Sequence, residues 1–136
     1  MNLSPLQAVK TYYASLAPGH RADLMEILDP HLVLEIPECF PGGSGTYVGL
    51  KAYIEDFLYN FYGSFDMNLV PAEYLDAGEN VVALGRLQGH ALSTGVAVDT
   101  PFAHIWTVRD GRLVRGRMFA DTALLCVAAG ARTEVR

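Results

Sequence analysis

The stretch from Phe102 to Asp121 constrains this chain more than any other. Phe102, His104, Trp106 and Val108 alternate with Ala103, Ile105, Thr107 and Arg109. That is the period-two pattern of a strand with two unlike faces. Asp110-Gly111 follows, a strong two-residue hairpin signal. Arg112 to Asp121 returns as a second strand, with Val114, Gly116, Met118 and Ala120 on a small apolar face and Arg115, Arg117, Phe119 and Asp121 on the other. The aromatic, apolar face of this hairpin has to be covered by another layer.

The rest of the chain supplies the cover. Ser4 caps a helix with Pro5 at its first position and Gln7 at its third, a capping box. Leu6, Val9, Tyr13 and Leu16 recur at helical spacing, with Tyr12 beside them, and Pro18-Gly19 ends the helix. A shorter helix is expected over His20 to Leu28, stopped by Asp29-Pro30. His31 to Pro37 reads as a strand, with Leu32, Leu34 and Ile36 on one face and Val33 and Glu35 on the other. Glu38 to Tyr47 reads as a glycine-rich loop. A third helix, loaded with Tyr53, Phe57, Tyr59, Phe61 and Tyr62, is expected over Leu50 to Tyr62. Strands over Ser64 to Tyr74, Asn80 to Leu92 and Val96 to Arg109 precede the closing hairpin, and a short helix over Thr122 to Ala129 ends the chain. Helices followed by a long antiparallel meander make an α+β domain. It is expected to occupy residues 1–130, with a frayed tail over 131–136.

Composition narrows the function. Fifteen Asp and Glu face ten Lys and Arg, a net charge of −5, and the one cluster of arginines (Arg109, Arg112, Arg115, Arg117) lies on strand and turn positions. Phosphate-gripping proteins show a basic excess, so nucleic acid is not an expected partner. No apolar run approaches the ~18 residues of a membrane span. Cys39 and Cys126 fit neither a metal motif nor a disulfide framework, so free buried thiols in a reducing compartment, the cytoplasm, are expected. No metal-ligand cluster, phosphate loop or G-x-S-x-G elbow is present, and no cofactor is expected.

Candidate chemistry gathers on few residues. An imidazole between Phe102 and Trp106 is desolvated, which favours its neutral form, and a neutral ring donates one hydrogen bond. The alternative is a core histidine bonded to backbone. Tyr12 and Tyr13 cannot point at one spot; one of them buries its ring and turns its hydroxyl inward. Asp121 lies on the outer parity, where it reads first as the N-cap of the terminal helix.

The run Phe102-Ala-His-Ile-Trp-Thr-Val-Arg-Asp-Gly-Arg-Leu-Val, then Arg117-Met-Phe-Ala-Asp-Thr-Ala, resembles the closing hairpin of SnoaL-like and ketosteroid-isomerase-related proteins of the nuclear-transport-factor-like superfamily. So does Ile36-Pro37, followed by a glycine-rich loop and Gly45-Thr-Tyr-Val-Gly49 leading into a helix. The resemblance spans about Pro5 to Leu125. It implies a cone-shaped, curved, mainly antiparallel sheet wrapped around three helices (a cystatin-like roll) with an apolar cavity. It also implies a homodimer through the outer sheet face, where Arg86, Gln88 and His90 would lie. By position, Tyr12 and His104 match the two donors that hold an enolate oxygen in the isomerases. The isomerase carboxylate base has no counterpart, because Ile36 stands there and Glu35 faces the other way. Asp121 resembles the acid/base aspartate of SnoaL-type cyclases.

Three functions remain open on this fold, which hosts many. One is a cofactor-independent isomerase, cyclase or dehydratase acting by proton transfer on a small apolar carbonyl or cyclic compound, with Tyr12 and His104 holding an oxyanion and Asp121 or His104 as base. The second is a binding domain without turnover, its pocket shaped by Tyr12, Phe57, Phe61, His104, Trp106 and Met118. The third is a dimerisation module whose cavity is filled by side chains.

Overall fold

The computed structural model describes residues 2–41 and 43–130; the expected tail over 131–136 lies outside them. One six-stranded sheet organises the molecule, in the order β2-β1-β6-β5-β4-β3. The strands are β1 (Leu28–Ile36), β2 (Gly45–Val48), β3 (Phe65–Ala77), β4 (Asn80–Ala91), β5 (Ala97–Arg109) and β6 (Arg112–Ala120). Neighbours run antiparallel except β1 and β6, which are parallel. The result is the expected α+β roll, with helices against one face of a mainly antiparallel sheet.

Helix α1 (Pro5–Ser15) begins on the capping box its sequence promises: the Ser4 hydroxyl accepts from Gln7 N–H and the Gln7 side chain accepts from Ser4 N–H. Its inner side buries Ala8, Val9, Tyr12 and Tyr13. The next segment differs from its expectation. A 3₁₀ turn (Arg21–Asp23) runs into a one-turn α2 (Leu24–Ile27), and Leu28 already belongs to β1. Asp29-Pro30 therefore sits inside the strand, where the pairing of β1 with β6 shifts register between Leu28 and Val33. Proline lacks the N–H of a regular ladder, and an irregular stretch tolerates it.

Two features escape the sequence pattern. The expected loop before Tyr47 contains β2, four residues paired to the edge of β1. The third helix is wide-turned: Ala52–Leu58 is a π-helix, with Tyr59 N–H bonded to the Ile54 carbonyl, and it narrows into α3 (Tyr59–Ser64). π-turns of this kind recur at functional sites. Here the wide turn stacks Tyr53 on Phe57 (centroids 6.0 Å apart) and Phe57 on Phe61 (6.1 Å) toward the sheet.

The closing hairpin keeps the parity read from sequence, with one slip. Phe102, His104, Trp106 and Val108 are all buried. In β6 the core position is taken by Leu113 rather than Val114, because the β5–β6 register shifts between Thr107 and Val108. Beyond that bulge Gly116 and Met118 face inward as expected. Glu35 faces outward and pairs with Arg115 at 2.8 Å and Arg117 at 3.4 Å. α4 (Thr122–Ala128) closes the described chain. Its Cys126 is half-buried and donates to the Cys39 carbonyl at 2.7 Å, while Cys39 is exposed at a positive φ of 62°. The expectation of two buried thiols therefore fails for Cys39, which the glycine-rich loop carries to the surface.

Candidate functional site

Strand β5 meets α1 at the centre of the roll, and two aromatic pairs form there. The Tyr13 hydroxyl lies 2.6 Å from Nδ1 of His104 and accepts from Nε1–H of Trp106 at 3.0 Å. The Tyr12 hydroxyl pairs instead with that of Tyr53 on the π-helix. Trp106 packs its ring 4.6 Å from that of Tyr12. It lies flat over Gly116, its cross-strand neighbour, where a Cβ would press on the indole.

Indole N–H only donates, so the Tyr13 oxygen accepts from Trp106. In the tautomer where the Tyr13 proton goes to Nδ1 of His104, the ring proton of His104 sits on Nε2. No fully enclosed side-chain nitrogen or oxygen among the described residues lacks a partner. Nε2 has none there, so it keeps open surface, and His104 lines the cavity described next. In that tautomer the relay Trp106 to Tyr13 to His104 ends at the Nε2–H of a residue that lines the cavity. Chains of this sort polarise one another. Burial holds the imidazole neutral by pushing its pKa down from 6.5 to about 3.

The second pair adds another donor. Two hydroxyls that share one hydrogen bond have one proton to spare, and Tyr12 lines the same cavity. Burial drives the phenol pKa of both Tyr12 and Tyr53 well up, so neither ionises.

The cavity itself measures about 30 Å³, room for a water molecule or so. Its wall includes Phe57, Phe61, Met118 and Ala120. Of the residues expected to shape a pocket, Tyr12, Phe57, Phe61, His104 and Met118 come together on it. Trp106 does not: it stands behind the wall and supports Tyr13. Asp121 is exposed, outside the lining, and its carboxylate accepts from Leu124 N–H at 3.0 Å as the N-cap of α4. Among the described residues no carboxylate lines the cavity. Tyr13 and Tyr53 are the groups that sequence reasoning left unassigned. Helical spacing puts both helix-1 tyrosines near the core, but which hydroxyl meets His104 depends on Trp106, far along the chain. Among the described residues, no three His, Cys, Asp or Glu side chains gather where a metal would sit, and no helix is long and apolar enough to cross a membrane.

This geometry can be set beside known proteins. The family model described as the SnoaL-like domain matches residues 9–116, the span that holds both tyrosine pairs and most of the sheet. The chain belongs to the SnoaL-like family. Among relatives of this SnoaL-like protein, uncharacterized protein YesE of Bacillus subtilis is 29% identical over 91% of this chain and 86% of its own length. An NTF2-like protein from Burkholderia pseudomallei is similar in structure, with a TM-score of 0.82 and 28% identity, covering 93% of this chain and 98% of its own. TerC, solved as a co-crystal with polyporic acid, has a TM-score of 0.83 and 26% identity over 93% of this chain and 98% of its own. The sheet and its helical cover agree with the fold that the resemblance implied.

Proposed function

We propose that this SnoaL-like domain binds a small, largely apolar cyclic compound through a carbonyl or enol oxygen, with Nε2–H of His104 and the Tyr12 hydroxyl as its two donors. One observation carries the reading: the Tyr13 hydroxyl, which accepts from Trp106, lies 2.6 Å from Nδ1 of His104, and His104 and Tyr12 line one cavity, an arrangement that supports a neutral imidazole with Nε2–H left for a ligand. A neutral donor in a dry site polarises a carbonyl without paying for a buried charge. The likeness to TerC, seen with polyporic acid, supports a cyclic, oxygen-bearing ligand.

The chemistry favours binding and polarisation over proton abstraction. An imidazole that charges only near pH 3 is a weak base. Asp121 is occupied as a cap. The isomerase or cyclase reading then requires the proton to leave to water or to another group of the substrate. A non-catalytic binding module is the second reading, favoured by a cavity lining that holds no carboxylate among the described residues.

The protein is further read as a cytoplasmic homodimer without nucleic-acid partners. A net charge of −5 supports the last point. The partly exposed Val70 and Phe119 support packing through the outer sheet face, and light scattering on the purified chain tests it.

The binding reading is tested by titrating polyporic acid against Trp106 fluorescence. Binding to the wild type that falls at least tenfold in His104→Phe, with the variant still unfolding cooperatively well above the assay temperature, supports the donor role. Equal binding by both proteins overturns it.

A further inference from the structure

We infer that the site has a second compartment that recognises an anionic group, with Arg21 as its cation, so that the ligand is an apolar ring system bearing an acid group. This rests on the pocket reading above.

A cavity of about 30 Å³ cannot hold a ring system, since ligand sites run to roughly 300–1,000 Å³. Beside it lies an open depression of about 420 Å³. Leu16, Tyr62 and Leu69 line both spaces, so these three side chains are the partition between them. The same Tyr13 whose hydroxyl serves His104 also lines the depression.

Of the three partition residues, Tyr62 is held from outside. The Arg21 guanidinium lies 4.3 Å from its ring centroid. Nε–H of Arg21 reaches the Leu16 carbonyl at 3.4 Å, a long bond to the second partition residue. Among the described residues Arg21 forms no ion pair, unlike Arg86, Arg115 and Arg117. Asp66 lines the depression too but does not pair with it. A guanidinium resting on an aromatic face, with donors to spare, suits a planar or tetrahedral acid group better than a mobile lysine would. An acid group that takes this guanidinium also loosens the contact that fixes Tyr62. Movement of that ring joins depression and cavity into one space, with the cation at the mouth and the His104 and Tyr12 donors at the far end.

Two dyes sharing one skeleton test this: 8-anilinonaphthalene-1-sulfonate and N-phenyl-1-naphthylamine, which lacks the sulfonate. Both are titrated by fluorescence into the full chain, into Arg21→Gln, and into Ala120→Leu, which narrows the cavity. The expected result is about tenfold tighter binding of the sulfonate dye by the wild type. Arg21→Gln abolishes that preference and leaves the neutral dye unchanged, and Ala120→Leu weakens both. A neutral dye that binds in an Ala120-sensitive way, with no sulfonate preference or with one that survives Arg21→Gln, overturns the anion compartment and leaves the pocket reading standing. Failure of both dyes to bind, or binding indifferent to Ala120→Leu, overturns both.

Discussion

The Tyr13 hydroxyl lies 2.6 Å from Nδ1 of His104, and this contact leaves Nε2 as the imidazole nitrogen without a side-chain partner among the described residues. The same oxygen receives the indole N–H of Trp106. A single phenol therefore satisfies two buried groups and presents a third to a ligand.

Tyr13→Phe removes a partner from each of two buried side chains. An orphaned buried polar group costs about 1–3 kcal/mol, so urea unfolding should show a loss of roughly 2–4 kcal/mol. Tyr12→Phe leaves the His104 relay intact. It should cost less, because Tyr53 loses one partner and nothing else in the relay changes.

Acid should destabilise the protein through His104. Its folded pKa of about 3 lies below the 6.5 of an unfolded histidine, so between those values the unfolded chain binds the extra proton. Stability from this group is complete above pH 6.5 and falls as pH drops toward 3, by about 1 kcal/mol per pH unit. Urea midpoints of wild type and His104→Gln between pH 7 and pH 5 measure it: the variant's slope should be shallower.

Gly116→Ala should be harmful although glycine to alanine often helps a strand. A Cβ there would run into the Trp106 ring and lie 2.9 Å from the Leu34 side chain. Overpacking of this kind costs about 1–3 kcal/mol. It should also shift Trp106 emission, because the indole is pushed off Tyr13.

Asp121→Asn should leave both stability and ligand binding unchanged, since asparagine caps as well, whereas Asp121→Ala should cost about 1 kcal/mol. Thermal unfolding and dye binding check the two together. Loss of a measured activity in Asp121→Asn, with stability intact, would return this residue to catalysis.

Much of the fold was legible because it is local. The alternation from Phe102 to Val108, the Asp110-Gly111 turn and the Ser4 capping box each sit within a few residues, and each appears in the structure where its pattern puts it. What was not legible depends on partners far away. Strand β2 is four residues among glycines and exists because β1 offers an edge. The π-turn at Ala52–Leu58 leaves the spacing of its aromatics looking like an ordinary helix. Val114 moves off the core because it is the extra residue of a bulge in β6, opposite Thr107 and Val108, and a period-two pattern cannot show that. The site follows the same rule. His104 on an apolar face was readable, but its partner was not, because Tyr12 and Tyr13 sort themselves by Tyr53 and Trp106. The cavity's small volume was equally invisible, since it depends on how tightly the aromatics of two helices close on β5.

The most direct test is nitrogen NMR of the His104 imidazole at pH 7 in the ligand-free protein. The structure predicts a neutral ring protonated at Nε2, with Nδ1 showing the shift of a hydrogen-bond acceptor, and no titration of this ring down to pH 5. A proton on Nδ1, or a ring that charges near pH 6.5, would contradict the relay and with it the donor that the proposed function requires.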